Sequence, residues 1–224
     1  MSLTSGVVQK TDVLVPGYAG PVGGTLKRAF DVLTSFLAIV VLLPLLVGCC
    51  LVTMGTSPGP ILFRHRRVGF GGKEFDCLKF RTMEIDAQRK LQEYLTNDED
   101  ARREWLTNHK LQNDPRVTPF GHFMRRSSLD ELPQLFNVLF GDMSLVGPRP
   151  IIQDEVEKYR ENIKVYVSGR PGITGLWQVK GRNNTTYSER VAYDVDYLRK
   201  WSFRRDLRII LSTIVQVCRG RGAF

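Results

Sequence analysis

The sequence predicts a mostly helical α+β protein that is held at a membrane by one apolar segment. The first observation is an uncharged run of 23 residues, Val32 to Met54, which is long enough for a membrane helix. The second is a pair of alternating, strand-like runs on either side of Gly69–Gly72. Much of the chain beyond them has the apolar spacing of helices. We therefore expect a membrane helix, then a small β-hairpin, then a helical domain.

The composition bounds the size and the chemistry of the protein. Its 224 residues suffice for one domain with appendages, and its net charge is +9. An excess of basic residues favours binding of anionic lipid, phosphorylated substrates or nucleic acid. Charge alone does not distinguish among these partners. The four cysteines form no CxxC pair and the three histidines lack metal-ligand spacing. This pattern indicates neither a disulfide framework nor a zinc site.

The apolar segment is interrupted by Pro44 near its centre. Proline removes a backbone donor and clashes with the preceding turn, so we expect the helix to bend or break there. Lys27 and Arg28 precede the segment, and Arg64, Arg66, Arg67 and Lys73 follow it. Because lysine and arginine favour the cytoplasmic side of short loops, both ends favour the same face. The segment is therefore predicted to be re-entrant: it enters the membrane and leaves on its own side.

The elements after the membrane segment follow from alternation and periodicity. Ile61–Val68 and Lys73–Met83 predict the strands of a β-hairpin around the glycine turn. Glu84–Asn113 is highly charged and predicts two helices, the second capped by Asn97. Ile173–Val179 is predicted to be a short extended piece.

A helical apolar stripe lies near the end of the chain. Such a stripe usually faces a core. Because tryptophan and arginines precede it, a helix at the lipid head-group boundary is the competing interpretation, and both stay open. The stripe consists of Leu207, Ile210, Leu211, Ile214 and Val215.

The candidate chemistry lies between residues 125 and 150. Arg125 and Arg149 bracket the adjacent acids Asp130 and Glu131. Ser128 and Glu131 have capping-box spacing, so the acids could simply favour a helix N-terminus. A carboxylate there has its anionic form stabilised, and an ionised aspartate is what a nucleophile needs. Ordinary salt bridges remain the structural alternative, whereas a pyrophosphate with a divalent cation accounts for all of the charges together.

Several longer motifs surround this segment in a fixed order. They are Lys79–Met83, Asp114–Thr118, Ser128–Gln134, Val146–Pro150, Arg170–Val179 with Gly181-Arg182, and Asp196-Tyr197 with Trp201-Ser202. Together they resemble the bacterial sugar transferases, the monotopic phosphoglycosyl transferases that act on polyprenyl phosphate. The resemblance covers nearly everything from Lys27 onward.

The resemblance implies a two-step exchange. Asp130 would attack the β-phosphate of a UDP-sugar, release UMP and become a covalent sugar-phosphoryl-aspartate. Undecaprenyl phosphate would then attack that adduct to give an undecaprenyl-diphosphate sugar. In this family the neighbouring acid, here Glu131, assists catalysis, and the aspartate takes part in binding Mg²⁺.

The resemblance also implies roles for residues outside the acidic pair. Arg125 matches a position that contacts substrate phosphate, and Arg149 belongs to a Pro-Arg-Pro element near the nucleotide. The substrate-binding candidates are Arg125, Arg149, Pro148, Pro150, Lys79, Arg81 and Arg182. The membrane anchor consists of Lys27, Arg28, Asp31 and Pro44. The family often has serine before this proline where this chain has Leu43, so support for the freed backbone must come from elsewhere.

These expectations divide the chain into a mobile tail at 1–24, a re-entrant helix at 25–55 and an interfacial catalytic domain at 56–224. The expected partners are a UDP-sugar, undecaprenyl phosphate and anionic lipid at the cytoplasmic face of the bacterial inner membrane. A homodimer is a further possibility, and no nucleic acid is expected.

The resemblance favours an enzyme that initiates exopolysaccharide or related glycan assembly with galactose 1-phosphate. Glucose 1-phosphate or another sugar phosphate is the alternative, because no residue that we can name selects the sugar. A non-catalytic membrane protein that binds anionic lipid or nucleic acid is the hypothesis from a different class. The retained acids and arginines count against it.

Overall fold

The computed structural model describes residues 20–56, 59–108, 111, 113–181 and 185–218. It confirms a mostly helical α+β architecture with a small hairpin near one long apolar helix. The helices are α1 (Gly24–Thr56), α2 (Ala87–Asn97), α3 (Glu99–Asn108), α4 (Pro119–Ser127), α5 (Gln134–Phe140), α6 (Val156–Tyr159), α7 (Ile163–Tyr166), α8 (Leu176–Lys180), α9 (Tyr187–Arg199) and α10 (Phe203–Cys218). The strands are β1 (Leu62–Val68), β2 (Glu74–Phe80), β3 (Ser144–Val146) and β4 (Gly172–Thr174).

Helix α1 is continuous from Gly24 to Thr56 and contains Pro44. Its buried side chains recur mostly at three- or four-residue intervals and define one face against the rest of the protein. They are Lys27, Asp31, Ser35, Leu46, Cys49 and Thr53. Much of the remaining surface is exposed and apolar. Within the described ranges, α1 is the one helix whose length and composition would allow it to cross a membrane. The predicted break at Pro44 is wrong, because the helix continues through that residue, while a bend there stays a prediction. Residues 1–19 of the predicted tail lie outside the described residues.

A buried ion pair joins the first helix to the last. Lys27 Nζ lies 2.5 Å from Asp206 Oδ2, and both side chains are almost fully buried. Asp206 also accepts hydrogen bonds from the Tyr197 hydroxyl at 2.7 Å and from Trp201 Nε1 at 3.1 Å. The carboxylate is therefore well supplied with donors, as a buried charge must be.

Two further charged residues of α1 bind the domain beside this pair. Arg28 donates to the carbonyl oxygens of Val138 and Leu139 at 2.5 and 2.9 Å, near the C-terminal end of α5. A cation is favourable there because the last carbonyls of a helix lack partners within the helix. Asp31 accepts a hydrogen bond from the Ser144 hydroxyl of β3 at 2.7 Å. The beginning of α1 is thus fixed to α5, α10 and β3.

The predicted hairpin is confirmed, and a second pair of strands comes from distant parts of the chain. Strands β1 and β2 are antiparallel, with Leu62 opposite Phe80 at one end of the register. Strands β3 and β4 are parallel. The prediction of an extended segment over 173–179 is only half right, because α8 begins at Leu176. Gly147 explains the close pairing: a Cβ there would lie 2.3 Å from the Arg170 carbonyl oxygen.

Two helix predictions need correction. Asp98, rather than Asn97, accepts a hydrogen bond from the Ala101 N–H at 2.9 Å at the start of α3. In α10, the apolar stripe that would usually face a core is largely exposed; Leu211 is 63% exposed and Ile214 53%. The inward face of α10 is formed by residues such as Asp206 and Ile209 instead. The structure therefore disfavours the core interpretation of that stripe.

The core of the domain surrounds the strands. One cluster places Val68 of β1 against Tyr159, Tyr166 and Val191. The Tyr166 hydroxyl donates to the Val68 carbonyl oxygen at 2.9 Å, which ties α7 to the hairpin. The hairpin therefore lies between the C-terminal helices and α5. Its second strand, β2, lies beside the segment that follows α4.

The Lys27–Asp206 pair yields a stability prediction. Replacing Lys27 with Met leaves the buried Asp206 carboxylate without its cation, which should destabilise the protein by about 3–5 kcal/mol. The control is Lys200→Met, which breaks an exposed pair with Asp196 in which the lysine side chain is 76% exposed; it should cost less than about 1 kcal/mol. Thermal unfolding of the detergent-solubilised variants measures both effects. Equal losses would contradict a dominant role for the buried pair.

Candidate active site

The acidic pair lies on a tight turn between two helices. Helix α4 starts with Thr118 as its cap, whose hydroxyl accepts from the Gly121 N–H at 2.9 Å. It ends at Ser128, which has a left-handed backbone with φ of 58°. The chain then makes a 3₁₀ turn over Leu129–Glu131 and enters α5. A left-handed residue other than glycine is uncommon and is often found at functional sites.

The predicted capping box at Ser128 is wrong. Ser128 lies between α4 and the 3₁₀ turn in a left-handed conformation, and its side chain forms no capping hydrogen bond. Glu131, its expected partner, binds Lys79 instead. The explanation that the acidic pair merely caps a helix N-terminus is therefore weaker than the sequence suggested.

Asp130 is a buried acid near two cations, Lys79 and Arg125. It is 8% exposed, and no side chain in the described part of the chain donates a hydrogen bond to its carboxylate. Burial raises the pKa of Asp130 to about 6, with the Glu131 charge adding to the rise, while Lys79 and Arg125 oppose it. Desolvation therefore outweighs any stabilisation of the anion by the helix N-terminus. A raised pKa in a buried acid among cations is typical of functional sites.

Lys79 brings the hairpin to the acidic turn. Its Nζ lies 2.5 Å from Glu131 Oε1. The register of β2 is held by Asn137 of α5, whose side-chain oxygen accepts from the Leu78 N–H at 2.9 Å. The Asn137 amide donates to the Asp76 carbonyl oxygen at 2.8 Å. One buried amide thus aligns β2 with α5 and places Lys79 beside the acids.

Arg125 is positioned by Thr82 rather than by an acid. Its Nε donates to the Thr82 hydroxyl at 2.9 Å, and it forms no ion pair with any described residue. The nearby Asp114 is occupied by Arg116, which binds both of its oxygens at 2.7 and 2.6 Å. Burial lowers the pKa of Arg125, and the charge of Asp130 acts against that shift. The remaining guanidinium donors can therefore face a ligand anion.

Arg149 follows strand β3 through Gly147 and the buried Pro148. Its guanidinium lies 5.2 Å from the centre of the Trp177 ring, and within the described ranges it forms no ion pair. Burial lowers its pKa, while the charge of Glu131 opposes that shift. The arginine is thus held by stacking, close enough to the acidic pair to feel its charge. The half-buried Pro150 accepts a hydrogen bond from Arg67 through its carbonyl oxygen at 3.1 Å.

The other predicted site residues have different placements. Arg81 is half-buried at the end of β2, with its guanidinium against Gly59. Arg182 lies outside the described residues. Lys27, Arg28 and Asp31, predicted as a membrane anchor, bind the domain through the contacts given above, while Pro44 is exposed on α1.

Sequence reasoning missed the residues that hold the site in place. Thr82 lies within a recognised motif, but the motif gives no sign that it binds Arg125. Asn137 carries no sequence signal, since a polar residue in a short helix is ordinary. Trp177 lies in the motif at 170–179, and only the structure places its ring against Arg149.

The acids fit a magnesium ion whose coordination a substrate would complete. In the described residues, no group of three or more His, Cys, Asp or Glu side chains could hold a metal ion. Mg²⁺ commonly takes one or two protein carboxylates and fills its other positions with phosphate oxygens and water. Asp130 and Glu131 supply that number of carboxylates. Together with Lys79, Arg125 and Arg149, they can neutralise a pyrophosphate and present one carboxylate to a phosphorus atom.

Comparison with known proteins agrees with the motifs. The family model described as "Bacterial sugar transferase" matches residues 22–220. The "Exopolysaccharide production protein ExoY" of Sinorhizobium fredii is 47% identical over 208 residues, which cover 93% of this chain and 92% of that protein.

Longer relatives align over part of their length. The "Undecaprenyl-phosphate galactose phosphotransferase" of Salmonella typhimurium is 47% identical over 199 residues, which cover 89% of this chain and 42% of that protein. The "UDP-glucose:undecaprenyl-phosphate glucose-1-phosphate transferase" of Xanthomonas campestris pv. campestris is 41% identical over 206 residues, covering 88% of this chain and 40% of that protein. A match across nearly the whole chain, in the order of motifs that surrounds the acidic turn, shows that this protein belongs to the bacterial sugar transferase family.

Proposed function

We propose that this protein transfers a hexose 1-phosphate from a UDP-sugar to undecaprenyl phosphate through a covalent intermediate on Asp130, and so initiates exopolysaccharide or related glycan assembly. The observation that carries the proposal is the buried Asp130 carboxylate, which has no hydrogen-bond donor among the described side chains and is surrounded by cations. A structural aspartate in that position would be expected to have a partner. Relatives that are named as hexose-1-phosphate transferases support the reaction class.

In the first step, a carboxylate oxygen of Asp130 attacks the β-phosphorus of the UDP-sugar. The bond from that phosphorus to the oxygen bridging the two phosphates breaks, and UMP leaves with the electron pair. Arg125 and Arg149 stabilise the negative charge on the phosphates, since arginine can donate paired hydrogen bonds to them. The product on the enzyme is an acyl phosphate that carries the sugar.

In the second step, a phosphate oxygen of undecaprenyl phosphate attacks the same phosphorus. The bond to Asp130 breaks, and the aspartate returns to its carboxylate form. Glu131, held by Lys79, lies next to the reacting carboxylate and assists the exchange. When bound to Asp130 and Glu131, Mg²⁺ supplies charge neutralisation for the pyrophosphate.

Galactose 1-phosphate is the favoured donor group. Two relatives with galactose in their names, from Salmonella typhimurium and Erwinia amylovora, are each 47% identical to this chain. Two relatives named for glucose 1-phosphate transfer are 41% and 39% identical. Glucose 1-phosphate is therefore the alternative that a donor panel must include.

The membrane part of the proposal is a re-entrant α1 at the cytoplasmic face of the bacterial inner membrane. Asp31 near the start of α1 binds β3, and Cys49 near its end packs in a cluster with Phe80 and Met124. Both ends of the helix therefore contact the same domain, which disfavours a crossing with that domain on one side. The exposed apolar surface between these contacts suits lipid, and the basic surface would attract anionic lipid and two anionic substrates. A homodimer in the membrane stays a prediction.

The nucleophile assignment predicts the effect of a single substitution. Asp130→Asn should reduce UMP release by at least about a thousand-fold, because an amide cannot form the acyl phosphate. The assay supplies UDP-sugars, undecaprenyl phosphate and Mg²⁺ to membrane-extracted protein. Asp86→Asn, which alters an exposed acid paired with Arg89, is the matched control and should keep full activity. Equal activity of Asp130→Asn would contradict the nucleophile assignment, whereas no UMP release by wild type with any UDP-sugar would favour the non-catalytic hypothesis.

The raised pKa of Asp130 predicts a pH dependence. The reaction needs the carboxylate, so kcat/KM for UMP release should fall about tenfold per pH unit as the pH drops below about 6, the pKa of the free enzyme. Lys79 lowers this pKa, so Lys79→Met should move the inflection to higher pH. Measured profiles between pH 5 and 8 test both statements. A wild-type profile without an inflection, or a shift to lower pH in Lys79→Met, would show that Asp130 is not the titrating group.

The re-entrant helix predicts that residues before and after it share one side of the membrane. In a protein whose native cysteines are replaced, single cysteines introduced at Lys10 and Lys73 should both react with a membrane-impermeant label only from the cytoplasmic side. Inverted and right-side-out vesicles provide the comparison. Labelling from opposite sides would mean that α1 crosses the bilayer.

A further inference from the structure

Arg190 of α9 is a buried cation with unsatisfied donors. It is 8% exposed, and its Nε and Nη2 atoms have no hydrogen-bond partner among the described residues. Its remaining terminal nitrogen, Nη1, lies 3.4 Å from Glu155 Oε1. Leaving charged donors buried and unpaired is costly, so such atoms indicate a place that an acceptor occupies when the protein is loaded.

Arg190 and Arg149 share one aromatic ring. The guanidinium carbon of Arg190 lies 5.3 Å from the centre of the Trp177 ring, and that of Arg149 lies 5.2 Å from it. Arg190 also lies 5.0 Å from the Tyr187 ring. Stacking on aromatic faces orients a guanidinium while leaving its in-plane N–H groups free to bind. The two arginines are thus held close together by contacts with one ring, and Arg190 is held in addition by Glu155.

The charge around these arginines is unbalanced. Glu155 is shared, with its oxygens 3.7 Å from Arg67 and 3.4 Å from Arg190. The other nearby acid, Asp194, accepts a hydrogen bond from the Tyr159 hydroxyl at 2.7 Å, and burial raises its pKa to about 7. Three guanidiniums, those of Arg67, Arg149 and Arg190, therefore lie near two carboxyl groups, one of which has a raised pKa. An anion would correct this excess.

The position of the pair relative to the acidic turn indicates which anion it would bind. Both Arg190 and Glu131 act on the charge of Arg149, so Arg149 is near the acidic turn as well as near Arg190. In an in-line displacement by Asp130, the leaving group points away from the attacking oxygen.

We propose that Arg190 and Arg149, stacked on Trp177, form one anion site for the α-phosphate of the nucleotide sugar, the phosphate that departs in UMP. The proposal rests on the proposed function for its direction, since the leaving nucleotide must lie opposite Asp130. It gives Arg190 a direct contact with the substrate, which the sequence motifs do not suggest.

Equilibrium binding of UMP tests the site without turnover, because UMP carries no sugar phosphate to transfer. In calorimetry on the full-length protein in detergent, Arg190→Gln should weaken UMP binding by about ten- to a hundred-fold, the effect of losing charge-assisted hydrogen bonds. Uridine, which lacks the phosphate, should bind wild type and variant alike. Arg199→Gln, on the exposed side of the same helix, is the matched control and should leave UMP binding unchanged.

Further measurements distinguish binding of the nucleotide phosphate from binding of the lipid phosphate, and both from a purely structural role of Arg190. Binding of a short-chain polyprenyl phosphate should not change in Arg190→Gln; a loss there with unchanged UMP binding would assign the site to the lipid acceptor and overturn the proposal. Equal losses for UMP and uridine, or no loss for UMP, would also overturn it. If Arg190→Gln does not fold, Arg190→Lys decides: it keeps the charge but not the paired donors, and should weaken UMP binding while sparing uridine. Failure of the proposed function is seen separately, as absence of UMP release by wild type.

Discussion

The rest of the structure depends on how the first helix is fixed to the domain. The buried pair between Lys27 and Asp206 joins α1 to α10, and Asp31 binds the start of β3. Buried charges must be paired, so few other placements of α1 against the domain would satisfy these residues. Strand β3 leads directly to Arg149, and α5, which Arg28 binds at its end, leads back to Asp130. The apolar helix and the candidate active site therefore share one set of supports.

The candidate site places an unpaired acid among positioned cations. Asp130 has no hydrogen-bond donor among the described side chains, while Lys79 and Arg125 are each held by another residue, Glu131 and Thr82. Burial makes the Asp130 carboxylate less stable as an anion, and the neighbouring cations restore part of that stability. Such an arrangement costs the folded protein stability, which is common where a residue is kept for chemistry.

Secondary structure followed from the sequence where local patterns sufficed. The hairpin around Gly69–Gly72 was predicted from alternation, and the helix predicted over 25–55 from an uncharged run corresponds to α1. Predictions failed where one local sequence pattern was compatible with two different structures. Ser128 had the spacing of a cap but ends the preceding helix, and the stripe of α10 had the period of a core face but is exposed. Periodicity identifies an apolar face without saying what covers it.

The sequence by itself determined the chemical groups of the site: the adjacent acids at 130 and 131, the flanking arginines at 125 and 149, and the order of motifs that places the chain in its family. Only the tertiary structure decided which of these groups are paired. Asn137 aligns β2 with α5, and Trp177 holds Arg149 beside Arg190, through contacts between parts of the chain far apart in sequence. The physical reason is that burial and pairing set the charge of a group, and both depend on neighbours that local sequence patterns do not identify.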